Sequence, residues 1–305
     1  MSGHYAAGVD LFANWRSDVT SGKPPIVVPV ASNGHPLSGL EVGPGLVTLI
    51  GAPPAAGKTA LVMQMVFDAV LLTPTLKALV CNVEMGSGAL LDRQLARLAE
   101  LPLRLIRKRQ LTVEHAQPLT RGLEDLEERL KRVAFVRPPF DLSNVAHSAD
   151  AFGADLILLD YVQRIGPPKE YSDKRLSLNA VMDAVRGFAD AGCAVLVVSA
   201  VGRQRDSGGR SGYDGLNLAS FRESSELEYG ADSAYLLVRE ADSDSVELKC
   251  VKNRNDEPQS WPLRFVGDFQ RFDPSTGAAE GPLATKVRDL WANGTGHNAA
   301  EGDNW

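Results

Sequence analysis

Glycine, lysine and threonine stand together at Gly57-Lys58-Thr59, where an apolar strand pattern (LVTLIG) leads through a short loop into a helical pattern (TALVMQMVFDAVLL). The predicted phosphate-binding residues are Ala52, Pro53, Pro54, Ala55, Ala56, Gly57, Lys58, Thr59 and Ala60. In such a loop the backbone N–H groups and the helix N-terminus bind phosphates, the lysine contacts the β- and γ-phosphates, and the threonine hydroxyl binds Mg²⁺. The window begins with alanine where the strict pattern has glycine, but a small residue still lets the loop close. We therefore predict a site for ATP and Mg²⁺; the alternative is an ordinary strand–helix turn.

Two acidic residues at the ends of apolar strand patterns would complete a hydrolytic site. DLILLDYV places Asp160 after four apolar residues, where its carboxylate would hold Mg²⁺ through water. KALVCNVE ends at Glu84, in the next strand after the phosphate loop, and we predict that Glu84 orients the attacking water. The alternatives are a strand-terminal aspartate that caps a turn and a surface glutamate that caps a helix.

The strands and helices that position these residues alternate along most of the chain. The predicted strands are LVTLIG, KALVCNVE, RVAFVR, DLILLDYV, CAVLVVSA, SAYLLVR, VELKCVKN and PLRFV. The predicted helices follow the phosphate loop, follow Glu84 (SGALLDRQLARLAEL), and include EDLEERLKR and LNAVMDAVRGFADAG. This pattern predicts an α/β fold with a mostly parallel sheet covered by helices on both faces. The last three strands follow one another without helices, which predicts an antiparallel C-terminal edge.

The domain organisation follows from the same reading. Residues 1–45, with a short helical pattern (VDLFANWRSDV) and Gly/Pro-rich sequence, are predicted to be an extended N-terminal linker segment. Residues 46–274 form the predicted core, and residues 275–305, rich in Gly, Ala and Asn, are predicted to be a disordered tail.

Composition excludes several classes of protein. The net charge of −6 over 305 residues argues against a generally basic protein that coats nucleic acid, although a local basic lining remains compatible with it. The three cysteines are far apart and are predicted to be free thiols, and the five histidines have no metal-ligand spacing. No signal peptide and no apolar run of about 20 residues is present, so we predict a cytoplasmic protein without a membrane partner.

The order and spacing of these motifs resemble the RecA-like P-loop ATPases, and longer stretches are similar to the C-terminal motor domain of the DnaB-like replicative helicases. These stretches are APPAAGKT, the NVEM sequence that contains Glu84 and precedes a helix with Arg93, LPLRLIRKRQLTVEH and LILLDYVQRI. The most specific is FRESSELEYGAD, which resembles the family's LRESGSIEQDAD; VKNRND and PLRFVGDFQRFDP follow it. The resemblance covers about residues 40–273, and the N-terminal helical domain of the full helicase has no counterpart in it.

The resemblance implies further roles. Lys252 and Arg254 would act as trans-acting fingers on the γ-phosphate of a neighbouring subunit, in a ring that we expect to be a hexamer. Arg222 and Glu223 match channel positions that contact single-stranded DNA. A replication or loader protein would be a further partner. The alternative for Lys252 and Arg254 is a basic edge strand exposed to solvent.

A loop between two predicted strands carries Arg203, Arg205 and Arg210 among Gly and Ser, with Tyr213 as a stacking candidate. Such a loop would contact DNA phosphates in the channel. The alternative is a solvated loop whose arginines pair with neighbouring aspartates.

SAVGR departs from the family, which has SQLNR with a glutamine that is thought to sense the γ-phosphate; here that position is Ala200. An alanine side chain makes no hydrogen bond, so the coupling of hydrolysis to DNA is in question. We therefore expect an Mg²⁺-dependent ATPase of accessory or mobile-element helicase or translocase type. The alternatives are a KaiC-like switch or scaffold ATPase without translocation, and a catalytically inactive subunit of a mixed ring, which the presence of Glu84 and Asp160 disfavours.

Overall fold

The fold is known from a computed structural model that describes residues 7–167, 171, 173–202, 204–205, 211–212, 216–221, 225–239 and 243–275. The strands are β1 Val47–Ala52, β2 Ala78–Asn82, β3 Val133–Phe135, β4 Leu156–Asp160, β5 Ala194–Ala200, β6 Gln204–Arg205, β7 Ser211–Gly212, β8 Ser233–Arg239, β9 Ser245–Asn253, β10 Ser260–Val266 and β11 Arg271–Pro274. The helices are α1 Gly8–Ser21, α2 Lys58–Leu72, α3 Ser87–Ala99, α4 Leu103–Lys108, α5 Ala116–Leu130, α6 Leu142–Phe152, α7 Lys174–Asp190 and α8 Ser225–Gly230.

Nine strands form one sheet in the order β11-β10-β9-β8-β1-β5-β4-β2-β3. The six strands from β8 to β3 in this order pair in parallel, whereas β9, β10 and β11 pair antiparallel. The predicted mostly parallel sheet with an antiparallel C-terminal edge is therefore confirmed. Because parallel strands share one orientation, the ends of β1, β2, β4 and β5 meet along one edge of the sheet, and the predicted hydrolytic residues meet there too.

Two apolar clusters cover the two faces of the sheet. One contains α2 together with Leu90 of α3 and Leu126 of α5, and the other contains residues of α6 and α7. The strands β1, β2 and β4 are buried along their whole lengths because helices lie on both faces. The predicted helical cover on both faces is thus confirmed.

All eight predicted strands and all the predicted helices are present, while α4, α6 and α8 were not predicted as separate helices. Helix α6 buries only Leu142, Val145 and Ala149, and its other residues are mostly weak helix formers, so its periodic signal is poor. The residues at its two ends are nevertheless typical of helix ends. Asp141 caps the start and accepts a hydrogen bond from the Asn144 N–H at 2.8 Å, and Gly153 ends the helix with φ of 70°.

A buried ion-pair network joins α2 to α3 and α5. Asp68 of α2 lies 2.8 Å from Nη1 of Arg97 and 3.0 Å from Nη1 of Arg129, and Arg129 also pairs with Asp125 at 2.9 Å. Both arginine side chains are only 7% exposed, so their charges depend on Asp68 for compensation. The network holds the phosphate-loop helix against the helices that follow Glu84.

The N-terminal residues divide into two parts. Helix α1 contributes no buried residue, whereas Val28, Val30, Leu37 and Val42 pack into the same apolar cluster as α2. The domain boundaries at residues 45 and 274 stay predictions, and residues 276–305 lie outside the described part of the chain. Cys81, Cys193 and Cys250 are free thiols, as predicted. Within the described residues, no helix is both long enough and apolar enough to cross a membrane.

Candidate functional site

The phosphate loop connects β1 to α2. Ala55 has φ of 62° and Gly57 has φ of 94°, so the chain turns sharply before the helix begins at Lys58. A Cβ atom on Gly57 would lie 2.9 Å from the Phe272 ring, so only glycine fits both the backbone angle and the space. The start of α2, at Lys58 and Thr59, lines a cleft together with Gly57, and the first N–H groups of a helix have no partner within the helix, as a phosphate site requires.

Thr59 and Asp160 meet at the start of α2. The Thr59 hydroxyl donates a 2.8 Å hydrogen bond to Oδ2 of Asp160, and the amide of Asn82 donates to the same oxygen at 2.7 Å. Asp160 is fully buried, and among the described residues its Oδ1 has no hydrogen-bond partner. Burial raises the pKa of Asp160 to about 6, although the Thr59 hydrogen bond and the Lys58 charge lower it.

These residues fit a magnesium ion. Mg²⁺ prefers oxygen ligands, and in nucleotide sites it is held by one or two protein groups while phosphates and water complete its shell. The Thr59 hydroxyl and the unpartnered Asp160 oxygen supply such groups. Within the described residues no group of three or more His, Cys, Asp or Glu side chains is placed to hold a metal by itself, which is consistent with that arrangement.

Glu84 lies beside the phosphate loop on the turn after β2. The Asn82 side-chain oxygen accepts hydrogen bonds from the N–H groups of Glu84 at 3.1 Å and Met85 at 2.8 Å. Asn82 therefore fixes both the turn that carries Glu84 and the Asp160 carboxylate. Sequence motifs did not predict this role of Asn82, because the role depends on a contact with Asp160, which lies 78 positions further along the chain.

Lys58, Thr59, Glu84 and Arg93 line one cleft. Its volume is about 320 Å³, and its other lining residues are Ala55, Gly57, Met85, Phe265 and Gln270. A larger cleft of about 580 Å³ adjoins it on the other side of Glu84. Arg93 comes from α3, and burial lowers the pKa of its guanidinium, with a further lowering by Arg107 and an opposing effect of Asp160. In the sequence, Arg93 belongs to a stretch that resembles the family, but no role was predicted for it.

Lys252 and Arg254 lie at the opposite end of β1 from the phosphate loop. Lys252 Nζ donates to the Ala231 carbonyl at 2.7 Å, and Arg254 donates to the Tyr229 carbonyl at 2.7 Å and to Asp232 at 2.9 Å. Asp232 in turn accepts from the N–H of Val47, the first residue of β1. The six residues of β1 span about 20 Å, so neither cation reaches the phosphate loop of its own chain.

Ala200 ends β5, and a glutamine side chain contacts it. Nε2 of Gln163 donates to the Ser199 hydroxyl at 2.6 Å and to the Ala200 carbonyl at 3.1 Å, and its Oε1 accepts from the Ala200 N–H at 3.2 Å. Gln163 lies three residues after Asp160, so it links the end of β4 to the end of β5. A carboxamide is thus present beside Ala200, although the short 3-10 helix after β4, Val162–Arg164, supplies it.

The predicted DNA-contacting residues fall mostly outside the described residues. This applies to Arg203, Arg210, Tyr213, Arg222 and Glu223. Arg205 lies in β6, whose backbone pairs antiparallel with Ser211 of β7. A pair of short antiparallel strands therefore lies between β5 and α8 along the chain, and the DNA contacts stay predictions.

A phosphate loop after β1, an acid at the end of β4 with β5 between these two strands, and a mostly parallel sheet define the class of P-loop nucleotide-binding proteins with a RecA-like fold. The family model for the DnaB-like helicase C-terminal domain matches residues 36–274, so the chain belongs to that family. This membership supports a helicase-type ATPase motor.

Similar proteins agree with this assignment. The replicative DNA helicase DnaB of Treponema pallidum (strain Nichols) is 23% identical over 229 residues, which cover 73% of this chain and 50% of that helicase. The chain thus spans about half the length of this relative. A solved structure of an isolated ATPase domain is similar, with a TM-score of 0.77 and 17% identity over 89% of this chain and 99% of that domain. A DnaB-like replicative helicase studied with primase gives a TM-score of 0.74 and 17% identity over 90% of this chain and 69% of that one.

Proposed function

We propose that the chain is an Mg²⁺-dependent ATPase that hydrolyses ATP in the cleft at the ends of β1, β2 and β4. The 2.8 Å contact between Thr59 and Asp160 carries this proposal, because it joins the two elements that hold Mg²⁺ in P-loop enzymes. Bound there, Mg²⁺ would neutralise charge on the β- and γ-phosphates. Lys58 binds the same phosphate oxygens, together with the backbone of residues 52–60.

Glu84 is the proposed general base. It lines the same cleft as Lys58, and Asn82 holds its turn in place, so its carboxylate orients water toward the γ-phosphate. Arg93 supplies a second positive charge from the same chain and stabilises the charge of the transferring phosphoryl group. These roles use only residues that line one cleft.

We propose that Lys252 and Arg254 act on the ATP bound by another copy of the chain. The resemblance of VKNRND to the family's finger residues supports this assignment, and the position of Lys252 and Arg254 at the far end of β1 means that they do not act on the phosphate loop of their own chain. A finger at one end of the sheet and a phosphate loop at the other make a head-to-tail interface, which forms a ring when the rotation between copies closes. A hexameric ring is the arrangement proposed.

Single-stranded DNA is the proposed substrate of the motor, bound through Arg203, Arg205, Arg210, Arg222 and Glu223. The family membership supports this choice, and the interaction of one relative with primase makes a replication or loader protein a proposed partner. The second candidate function is a KaiC-like ATP-dependent switch or scaffold. Ala200 favours the switch, because the sensing glutamine is absent from its expected position.

ATP hydrolysis by the purified chain tests both functions. We expect Lys58→Ala to lower the rate by at least about 100-fold, since it removes a charge that stabilises the transition state, whereas the exposed Lys108→Ala should match the wild type. A Lys58→Ala protein that still hydrolyses ATP at the wild-type rate would contradict the site.

Single-stranded oligothymidylate, added across a range of salt concentrations, separates the motor from the switch. The motor predicts stimulation that weakens as salt rises, because phosphate contacts release counterions. Hydrolysis that does not respond to DNA at any salt concentration would favour the switch.

A further inference from the structure

The carboxylate of Asp232 accepts hydrogen bonds from three elements at the end of the sheet opposite the phosphate loop. Its Oδ2 accepts from the Val47 N–H at 2.8 Å and from Nη1 of Arg186 at 2.7 Å, and its Oδ1 accepts from Nη1 of Arg254 at 2.9 Å. The Asp232 side chain is only 12% exposed, so these bonds form largely away from bulk water. Charge-assisted bonds of this kind are stronger and more directional than neutral ones.

These contacts hold the Arg254 guanidinium in one orientation. Nη1 bonds to Asp232 and Nη2 bonds to the carbonyl of Tyr229 at 2.7 Å, which fixes the plane of the group. Two of its five N–H donors are engaged in this way, and the side chain is 48% exposed. Arg254 therefore has an anchored inner side and an outer side that solvent, or another copy of the chain, can contact.

We propose that Asp232 is the positioning residue for Arg254 in trans, setting the guanidinium so that it meets the γ-phosphate held by the next copy. This inference rests on the proposed function of Arg254 as a finger. A preorganised donor stabilises transition-state charge without having to reorient during the reaction. Loss of the Asp232 charge would release the guanidinium and leave it beside Arg186, which repels it.

A purely structural role for Asp232 predicts something different. Asp232 also binds the first residue of β1, and β1 leads to the phosphate loop of the same chain. A structural defect would therefore damage the ATP site of the subunit that carries the substitution. A positioning defect would instead damage the site of the neighbouring subunit.

Subunit mixing distinguishes these two defects. Asp232→Asn and Arg254→Ala are each assayed alone and as equal mixtures with Lys58→Ala, which retains its finger but not its phosphate lysine. In a randomly mixed ring, about a quarter of the interfaces join an intact phosphate loop to an intact finger. We expect each variant alone to lose at least about 30-fold in kcat with little change in the KM for ATP, and each mixture to recover part of the activity.

Each result has one meaning. Recovery of activity by both mixtures supports the positioning role. The positioning role of Asp232 is overturned if mixing restores ATP hydrolysis to Arg254→Ala but not to folded Asp232→Asn. It is also overturned if Asp232→Asn alone is fully active. In both cases the proposed role of Arg254 as a finger is kept. If Arg254→Ala alone hydrolyses ATP at the wild-type rate, the finger itself fails, whatever Asp232→Asn does.

Two further variants protect the experiment from a folding artefact. Asp232→Glu keeps the charge and moves the carboxylate by one methylene, so it should fold, bind ATP and lower kcat without raising the KM. Asp190→Asn removes the other carboxylate bonded to Arg186 and should match the wild type, because among the described residues Asp190 forms no ion pair with Arg254. Full activity of Asp232→Glu together with a loss in Asp190→Asn would overturn the proposal.

Discussion

At the scale of single residues, the site depends on one buried carboxylate and the polar groups around it. Asp160 has a pKa raised to about 6 by burial, and one of its oxygens has no partner among the described residues. A divalent cation beside that oxygen would compensate the charge that burial penalises. Asn82 bonds to the same carboxylate and to the turn of Glu84, so one amide sets the relative positions of two groups of the proposed site.

Replacing Glu84 by glutamine tests the proposed base at this scale. Glu84→Gln keeps the shape of the side chain but removes the group that accepts the proton of water, so ATP should bind with unchanged affinity. Hydrolysis should fall by about 100-fold or more, which single-turnover measurements would detect. Glu124→Gln, an exposed glutamate of α5, is the matched control. Equal hydrolysis by both variants would remove Glu84 from the mechanism.

The sequence predicted Lys58, Thr59, Asp160 and Glu84 because each lies next to a strand or helix end with a local signature. Asn82 and Gln163 could not be predicted in this way. Their roles arise from contacts with residues 78 and 37 positions away, which only the register of β2, β4 and β5 brings together. Motif spacing thus predicts the candidate reacting groups but does not predict the amides that contact them.

At the scale of elements, the cleft is built from strand ends, and the helices hold those ends in place. The parallel strands were predicted well because each is a continuous apolar run of typical strand length. A strand that is buried on both faces needs such a run. Helix α6 was not predicted because only three of its 11 residues are buried, so its sequence has a weak apolar periodicity. The position of α2 against α3 and α5 also depends on Asp68, whose partners lie 29 and 61 positions away.

Replacing Asp68 by asparagine tests the ion-pair network of these helices. The change leaves the buried Arg97 and Arg129 without their shared counter-charge, so the free energy of unfolding should fall by about 3–5 kcal/mol. Asp92→Asn removes the partner of Arg109, whose side chain is 69% exposed, and should cost less than about 1 kcal/mol. Urea unfolding measures both. Equal midpoints for the two variants would show that the network does not stabilise the fold.

At the scale of the whole molecule, the phosphate loop and the finger residues lie at opposite ends of the same sheet. Under the proposed function, a single chain therefore carries two halves of an active site that do not meet. In the proposed assembly the two halves come together, and the segments predicted to contact DNA lie between β5 and β8 along the sequence. An active site shared between two copies is a prediction of the family resemblance and stays a prediction, because no pattern within the sequence shows which residues of one copy contact another.

The most direct test of the account is the rate of ATP hydrolysis per subunit, measured across protein concentration while sedimentation records the assembled fraction. Because the proposed site lies between two copies, we predict a rate per subunit that is low for the monomer, rises with assembly and then reaches a plateau. A rate per subunit that stays constant while the protein dissociates into monomers would contradict a shared active site.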